Sequence, residues 1–226
     1  MSVADEFDEW ATAGKDRGME DRHWNTAKHV LARIPVEEGD TVLDLGCGSG
    51  YAGRALRATA GAGRVYGLDG APEMVRNARS YTDDDRVGFL VGEFEHLPFE
   101  DDSVDHVFSM ESFYYARDPD AVLREIRRVL KPGGTFYCAV DYYEENVYAH
   151  DWQDGMEIEM TRWSAAEYRA AFREAGFHVA EQDNVADRET EIPPAEAFPI
   201  EDWESREEMV ERYRTLGTLL TVGVAP

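Results

Sequence analysis

Thr41-Val42-Leu43-Asp44-Leu45-Gly46-Cys47-Gly48-Ser49-Gly50-Tyr51 is the stretch on which the fold turns. An apolar run over 41–45 leads straight into three glycines at alternate positions, and helix-forming sequence starts at Tyr51. Glycine at such a turn adopts angles closed to other residues and brings main-chain amides close to a ligand. A positive φ alone would explain one glycine; three at this spacing point to a binding loop. Outward from it, short apolar runs alternate with amphipathic stretches, the pattern of a largely parallel sheet covered by helices. Strands are expected at 41–45, 64–68, 87–91, 104–110, 134–141, about 177–185 and 216–224. Helices are expected at 21–34, 51–60, 72–81, 119–130 and 165–175. Pro72 and Pro119 stand where proline starts a helix, its missing N–H costing nothing there. Lys131-Pro132-Gly133-Gly134 reads as a helix stop and a turn, and Ser164 with Glu167 as a capping box.

The 226 residues suit one domain, with 43% hydrophobic and 12% aromatic side chains, enough for a packed core. The net charge of −24 is extreme, and lysine occurs only at Lys15, Lys28 and Lys131, which leaves most of the 23 basic residues to arginine. Acid spread along a lysine-poor chain reads as adaptation to high salt, where dense counterions screen carboxylate repulsion within a few ångströms. The rival reading is a basic partner. Nucleic acid is disfavoured, because phosphate binding wants clustered Lys and Arg. No apolar run approaches the roughly 20 residues of a membrane span. Met1–Trp10 lacks the basic and apolar regions of a leader, and Cys47 and Cys138 form no CxxC, so a cytoplasmic location is expected.

Gly48-Ser49-Gly50-Tyr51-Ala52-Gly53 also satisfies the G-x-G-x-x-G dinucleotide pattern, which is weak by itself. Asp44 argues against a pyrophosphate, which a carboxylate at the strand's end would repel. A sulfonium amino acid, with positive sulfur and ammonium, favours one. The Tyr-x-x-x-Lys pair of candidate oxidoreductases is missing: Ala11, Trp24 and Arg127 stand four residues before the lysines. Asp69 closes the second strand 25 positions after Asp44, the range in which an acid meets ribose hydroxyls, although it could equally cap the next helix. Glu93 and Phe94 follow the third strand, where an acid can accept from an adenine amino group while the next N–H donates to the ring.

VLDLGCGSG (42–50), VYGLDGAPEMVRNAR (65–79), GEFEHLPFEDDSVDHVFSM (92–110) and DPDAVLREIRRVLKPGGTFYC (118–138) together resemble the class I S-adenosylmethionine-dependent methyltransferases. They are similar to the type 11 group, whose members include ubiquinone/menaquinone-biosynthesis enzymes acting on small molecules. The resemblance covers about 40–140. It implies a Rossmann-like α/β fold, seven strands in a mostly parallel sheet with the last antiparallel and helices on both faces. It implies S-adenosylmethionine as cofactor, with Asp44 and Gly46 near the methionine end. Asp69 then falls to the ribose and Glu93 with Phe94 to adenine, and Cys47, Gly48, Gly50, Gly70, Met74, Ser109 and Met110 are further cofactor-binding candidates. Arg17 is a candidate for the methionine carboxylate. The family usually carries Asp where this chain has Glu93.

The fourth strand ends in Ser109-Met110-Glu111-Ser112-Phe113-Tyr114-Tyr115, at the edge where ligands of open α/β sheets bind. Methyl transfer needs alignment and, for a protonated nucleophile, a base. Glu111, Tyr114, Asp141 and His150 are the candidates, while Phe113, Tyr114 and Tyr115 could equally just pack. His23 and Trp24 are expected to pack a lid formed by 1–38, and 39–141 forms the cofactor-binding half. Residues 142–226 form the substrate side, with insertions at 142–163 and 188–214. His96 and His106 are expected at the surface, and no metal spacing is seen. The acceptor is expected to be a small molecule. Methylation of RNA or protein, and a binding module without turnover, are the alternatives.

Overall fold

A computed structural model describes residues 2–156, 158–200 and 202–226. Met1, Glu157 and Glu201, which fall in the expected lid and the two insertions, lie outside the described residues. Seven strands form one sheet: β1 (Thr41–Leu45), β2 (Arg64–Asp69), β3 (Val87–Val91), β4 (Val104–Met110), β5 (Leu130–Val140), β6 (His178–Val185) and β7 (Thr218–Val224). Their order is β3-β2-β1-β4-β5-β7-β6. The first five pair in parallel, and β7 runs antiparallel to both its neighbours. The expected seven-stranded, mostly parallel sheet with an antiparallel last strand is therefore what the chain forms.

Two apolar layers cover the faces. α2 (Asp16–Leu31), α3 (Tyr51–Ala55) and α4 (Pro72–Ser80) bury Ala27, Val30, Ala52, Val75 and Ala78 on one face. α5 (Pro119–Val129) and α6 (Ala165–Glu174) bury Val122, Ile126, Tyr168 and Phe172 on the other. α5 forms because apolar residues recur at helical spacing behind Pro119, while Asp118 accepts from the Ala121 N–H as its cap. The capping box of Ser164 and Glu167 is present at α6.

Several boundaries differ from the sequence reading. The segment before β1 holds two helices, α1 (Val3–Thr12) and α2, in place of one starting at 21. Ser2 and Asp5 form a capping box at α1, a signal of the same type as that at α6. The helix expected over 51–60 widens into a π-turn at Leu56–Ala60. Lys131-Pro132-Gly133-Gly134 does not separate helix from strand. It lies inside β5, whose register against β4 jumps from Val104↔Leu130 to His106↔Thr135, a bulge with Gly133 at φ +83°. The expected insertion at 142–163 contains a 3₁₀ segment, Val147–Gly155, and that at 188–214 contains α7 (Arg206–Val210), which runs into a π-turn at Glu211–Leu216. No helix is long and apolar enough to cross a membrane among the described residues.

Candidate active site

The strand order reverses between β1 and β4, and a cavity of about 370 Å³ opens beyond the carboxyl ends of β1, β2 and β4. Its floor is the glycine loop. Gly46 (φ +75°) and Gly48 (φ +48°) hold left-handed angles. A Cβ on Gly46 would lie 2.2 Å from the Ser112 Oγ, whereas one on Gly48 would meet nothing within 4 Å. The first glycine lets the β4 end pack against the loop. The second leaves open space above the main chain, the kind of cradle a bound ligand fills. Ser112 donates to the Leu45 carbonyl at 2.9 Å and lies 2.8 Å from Ser109 Oγ, which fixes the β4 end to β1.

Asp69 lines the cavity with both carboxylate oxygens in use: Oδ2 accepts from the Gly48 N–H and Oδ1 from the Ala71 N–H, each at 2.9 Å. Burial raises its pKa and these amides oppose the rise. Each oxygen keeps a second lone pair for a ribose hydroxyl. Gly70, Met74, Glu93 and Phe94 line the same end. The Glu93 carboxylate itself is 73% exposed and turned towards His96. Cys47, Met110 and Glu111 line the floor.

Asp44, Gly50, Ser109 and Arg17 lie outside the lining. Asp44 is 2% exposed beneath the loop, and burial pushes its pKa up to about 7 against the Gly53 amide. Gly50 (φ +77°) begins α3 against the Phe89 ring. The guanidinium of Arg17 stacks on Tyr81 at 3.9 Å.

α1 and α2 cover the cavity. Asp8 accepts from the Glu73 N–H at 2.7 Å, capping α4, whose own N-cap residue supplies no side-chain bond. Glu20 accepts from Ser49 Oγ at 2.8 Å and from Arg54 at 2.9 Å, latching α2 onto the glycine loop. Asp16, Met19, Glu20 and His23 all face the cavity, spaced as one face of a helix. Asp16 is buried; one of its oxygens accepts from Asn77 and Tyr81 while the other has no partner among the described residues. Sequence reading puts these residues in the expected lid but gives Asp16 and Glu20 no contact of their own; the i, i+3, i+4, i+7 spacing with Met19 and His23 is the signal that places them on one face.

Beyond the loop, Glu111 is 7% exposed and takes φ +53°, rare for a residue with a Cβ. Such strain at the mouth of a strand is common where a site needs a side chain aimed. Its carboxyl accepts from the Tyr114 hydroxyl at 3.0 Å and from the Asp141 N–H. Burial, and then the Asp141 charge, raise its pKa well above the carboxylate range. Asp141 in turn accepts from Arg212 and Thr218, each at 2.5 Å. Tyr114 thus reaches the site through Glu111, and Tyr115 lines the cavity with its ring edge-on to Phe7 of α1, 5.1 Å between centroids. His150 stands apart, 2.9 Å from the Glu144 carbonyl. His106 is buried, contrary to the surface position expected: its ring nitrogens lie 2.7 Å from Thr135 and 3.2 Å from Asp40, an anchor beneath the sheet. No group of three His, Cys, Asp or Glu could hold a metal among the described residues.

Residues 43–138 match the family described as Methyltransferase domain. The sterol 24-C-methyltransferase of Saccharomyces cerevisiae is 32% identical over 180 residues, 74% of this chain and 46% of that protein. The chain thus spans about half the length of the curated relatives it matches. A protein of Haloferax volcanii, taken to be a methyltransferase and solved in complex with the Trm112 methyltransferase activator, is 72% identical. It covers 100% of both chains with a TM-score of 0.98. An S-adenosylmethionine-dependent methyltransferase of Mesorhizobium loti shares the fold at TM-score 0.69 and 21% identity, covering 87% of this chain and 96% of that one. The acidic, lysine-poor composition agrees with the Haloferax relative.

Proposed function

The chain belongs to the class I S-adenosylmethionine-dependent methyltransferases, and on that premise we propose that it methylates a small molecule held at the Glu111 end of the cavity. The observation that carries this reading is the continuity of one cavity, from Asp69 and Phe94 past the glycine loop to Glu111 and Tyr115, roofed by α1 and α2. The residues suit the cofactor: open space over Gly48, spare lone pairs on Asp69, and carboxylates on Asp16 and Glu20 for an ammonium group. S-adenosylmethionine supplies a methyl carbon already activated by its sulfonium. The chain's part is to orient the acceptor and keep water out, a positioning task in which correct geometry carries much of the rate. Glu111, whose pKa burial raises well above the carboxylate range, is suited to donate a hydrogen bond to the acceptor, with Tyr114 and Asp141 holding its angle. Asp44, Gly50 and Ser109 act by shaping the loop from behind. His150 and Arg17 lie outside the cavity and are assigned no part here.

The small volume under the α1–α2 cover favours a small acceptor over a polymer. A second reading, a protein or RNA acceptor reached with a Trm112-like partner, is favoured by the complex in which the Haloferax relative was solved. Two experiments test the proposal. S-adenosylhomocysteine should raise the melting temperature in molar KCl while NAD does not; stabilisation by NAD alone would refute the site. Radiolabelled S-adenosylmethionine added to cell extract should then place label in small metabolites, and label confined to RNA or protein would favour the second reading.

A further inference from the structure

Around the cavity, the lining groups differ in what they can do with a proton. Asp69 is bound by two amides, Glu20 is paired with Arg54 and Ser49, and Asp16 with Asn77 and Tyr81. Glu111 accepts from two donors, and burial raises its pKa well above the carboxylate range. Burial raises the pKa of Tyr51 well above a phenol's usual value, and raises that of Tyr115 too, so neither gives a phenolate base. His23 is different. It lies one turn beyond Met19 and Glu20 on the cavity face of α2, and among the described residues nothing hydrogen-bonds its ring nitrogens. A neutral imidazole offers a proton acceptor on one nitrogen and a donor on the other.

We propose that His23 is the general base of the transfer, and that the acceptor is an uncharged O–H or N–H compound whose proton His23 takes. This rests on the function proposed above. The acceptor's X–H proton passes to a ring nitrogen of His23 while the lone pair on X bonds the methyl carbon. The carbon–sulfur bond breaks with its electrons going to sulfur. A neutral thioether, a methylated acceptor and an imidazolium result, and the unit of positive charge moves from sulfur to His23. The imidazolium then releases its proton to solvent when the cover opens. Burial, then the charge of Arg22, lowers the His23 pKa to about 4 against a weaker opposing pull from Asp141, so the ring is neutral at working pH. A neutral ring beside a Glu111 whose pKa burial raises leaves little free charge to meet an ionic acceptor, which selects against phosphorylated and quaternary ammonium compounds. Titratable groups that line the cavity together with His23 include Glu20 on its own helix, Tyr51 on α3, and Glu111 and Tyr115 from the β4 end.

The test needs no acceptor. Sinefungin carries an amine-bearing carbon where the cofactor has its methylsulfonium, so it places a hydrogen-bond donor at the transfer position, and S-adenosylhomocysteine lacks it. Affinities for both are measured by calorimetry in molar KCl for wild type, His23→Leu and His23→Gln. His23→Leu should lose sinefungin affinity relative to S-adenosylhomocysteine by about tenfold, the scale of one hydrogen bond. His23→Gln, which keeps an acceptor, should retain most of that preference. Equal weakening of both ligands in both variants would mark His23 as mere packing and overturn the inference. An unchanged ratio in His23→Leu would overturn it as well. Should neither ligand bind wild type, the cofactor site itself would fall, a distinguishable failure. Nitrogen NMR on histidine-labelled protein with S-adenosylhomocysteine gives a check free of folding defects: a His23 ring still doubly protonated at pH 7 would overturn the assignment.

Discussion

Replacing Asp44 by Asn should make the cofactor-free protein more stable at high pH and leave it nearly unchanged at low pH. Asp44 is 2% exposed, one of its oxygens has no partner, and burial raises its pKa from 3.8 to about 7, aided by the Asp69 charge and opposed by the Gly53 amide and Arg54. In the folded state the carboxyl keeps a proton that the unfolded chain gives up above 3.8. The stability associated with the neutral form is therefore complete at low pH and is lost as pH rises through about 7. About three pKa units at ~1.4 kcal/mol each put the full cost near ~4 kcal/mol. Asn keeps the shape and cannot ionise, so it should recover most of that above pH 8 and only about 1.7 kcal/mol near pH 5, which is little more than one unit above the unfolded carboxyl's pKa of 3.8. Urea denaturation of both proteins in molar KCl, from pH 5 to 8.5, reads the difference directly. Curves that stay parallel across that range would refute the assignment of the cost to Asp44. The natural carboxylate is destabilising when charged and places negative charge beneath a loop meant for a cationic cofactor. The Asp44→Asn variant should accordingly give up part of the melting-temperature gain produced by S-adenosylmethionine.

Asp69→Ala should weaken S-adenosylhomocysteine binding by about 1–3 kcal/mol by calorimetry, as expected from losing a charge-assisted bond. The same change frees the Gly48 and Ala71 amides, so some loss of melting temperature should accompany it. Gly46→Ala forces a Cβ to within 2.2 Å of Ser112 Oγ at φ +75°, and should cost about 1–3 kcal/mol in urea and abolish cofactor stabilisation. Glu20→Ala releases Ser49 and Arg54 together; stability should fall by less than about 1 kcal/mol, as for partly exposed pairs, while ligand dissociation in stopped flow accelerates severalfold.

What was legible in the sequence followed from short-range chemistry. The apolar run over 41–45, the alternate glycines and Asp69 one strand over declare a parallel sheet and a binding loop, since strand burial and glycine backbone freedom are local properties. The helix starts at Pro72, Asp118-Pro119 and Ser164 were readable for the same reason. The bulge at Lys131–Gly134 was not, because proline and glycine mark a turn and a bulge alike, and only pairing with β4 decides between them. His106 was read as exposed since its partners, Asp40 and Thr135, come from 66 and 29 residues away. The cover was hardest. The resemblance gave the expectation of a lid over 1–38, but the spacing of Asp16, Met19, Glu20 and His23 does not by itself say which face of that lid meets the cavity.

The acidity of the surface and the chemistry of the cavity bear on each other through range. At molar salt the Debye length is about 3 Å, so the net charge of −24 hardly reaches the cavity, whose potential is set by the groups that line it. The exposed carboxylates act on the folded state as a whole, by repulsion that dense counterions suppress. Stability and binding should therefore separate in a salt titration. Lowering KCl from about 3 M to about 0.3 M lengthens the screening distance roughly threefold and should sharply reduce the melting temperature. Over the part of that range where the protein stays folded, the affinity for S-adenosylhomocysteine should change by less than about threefold, because Asp69, Glu20 and the loop amides act within hydrogen-bond distance. Affinity that fell in step with stability would mean that the surface charge governs the site, and the local account of the cavity would be wrong.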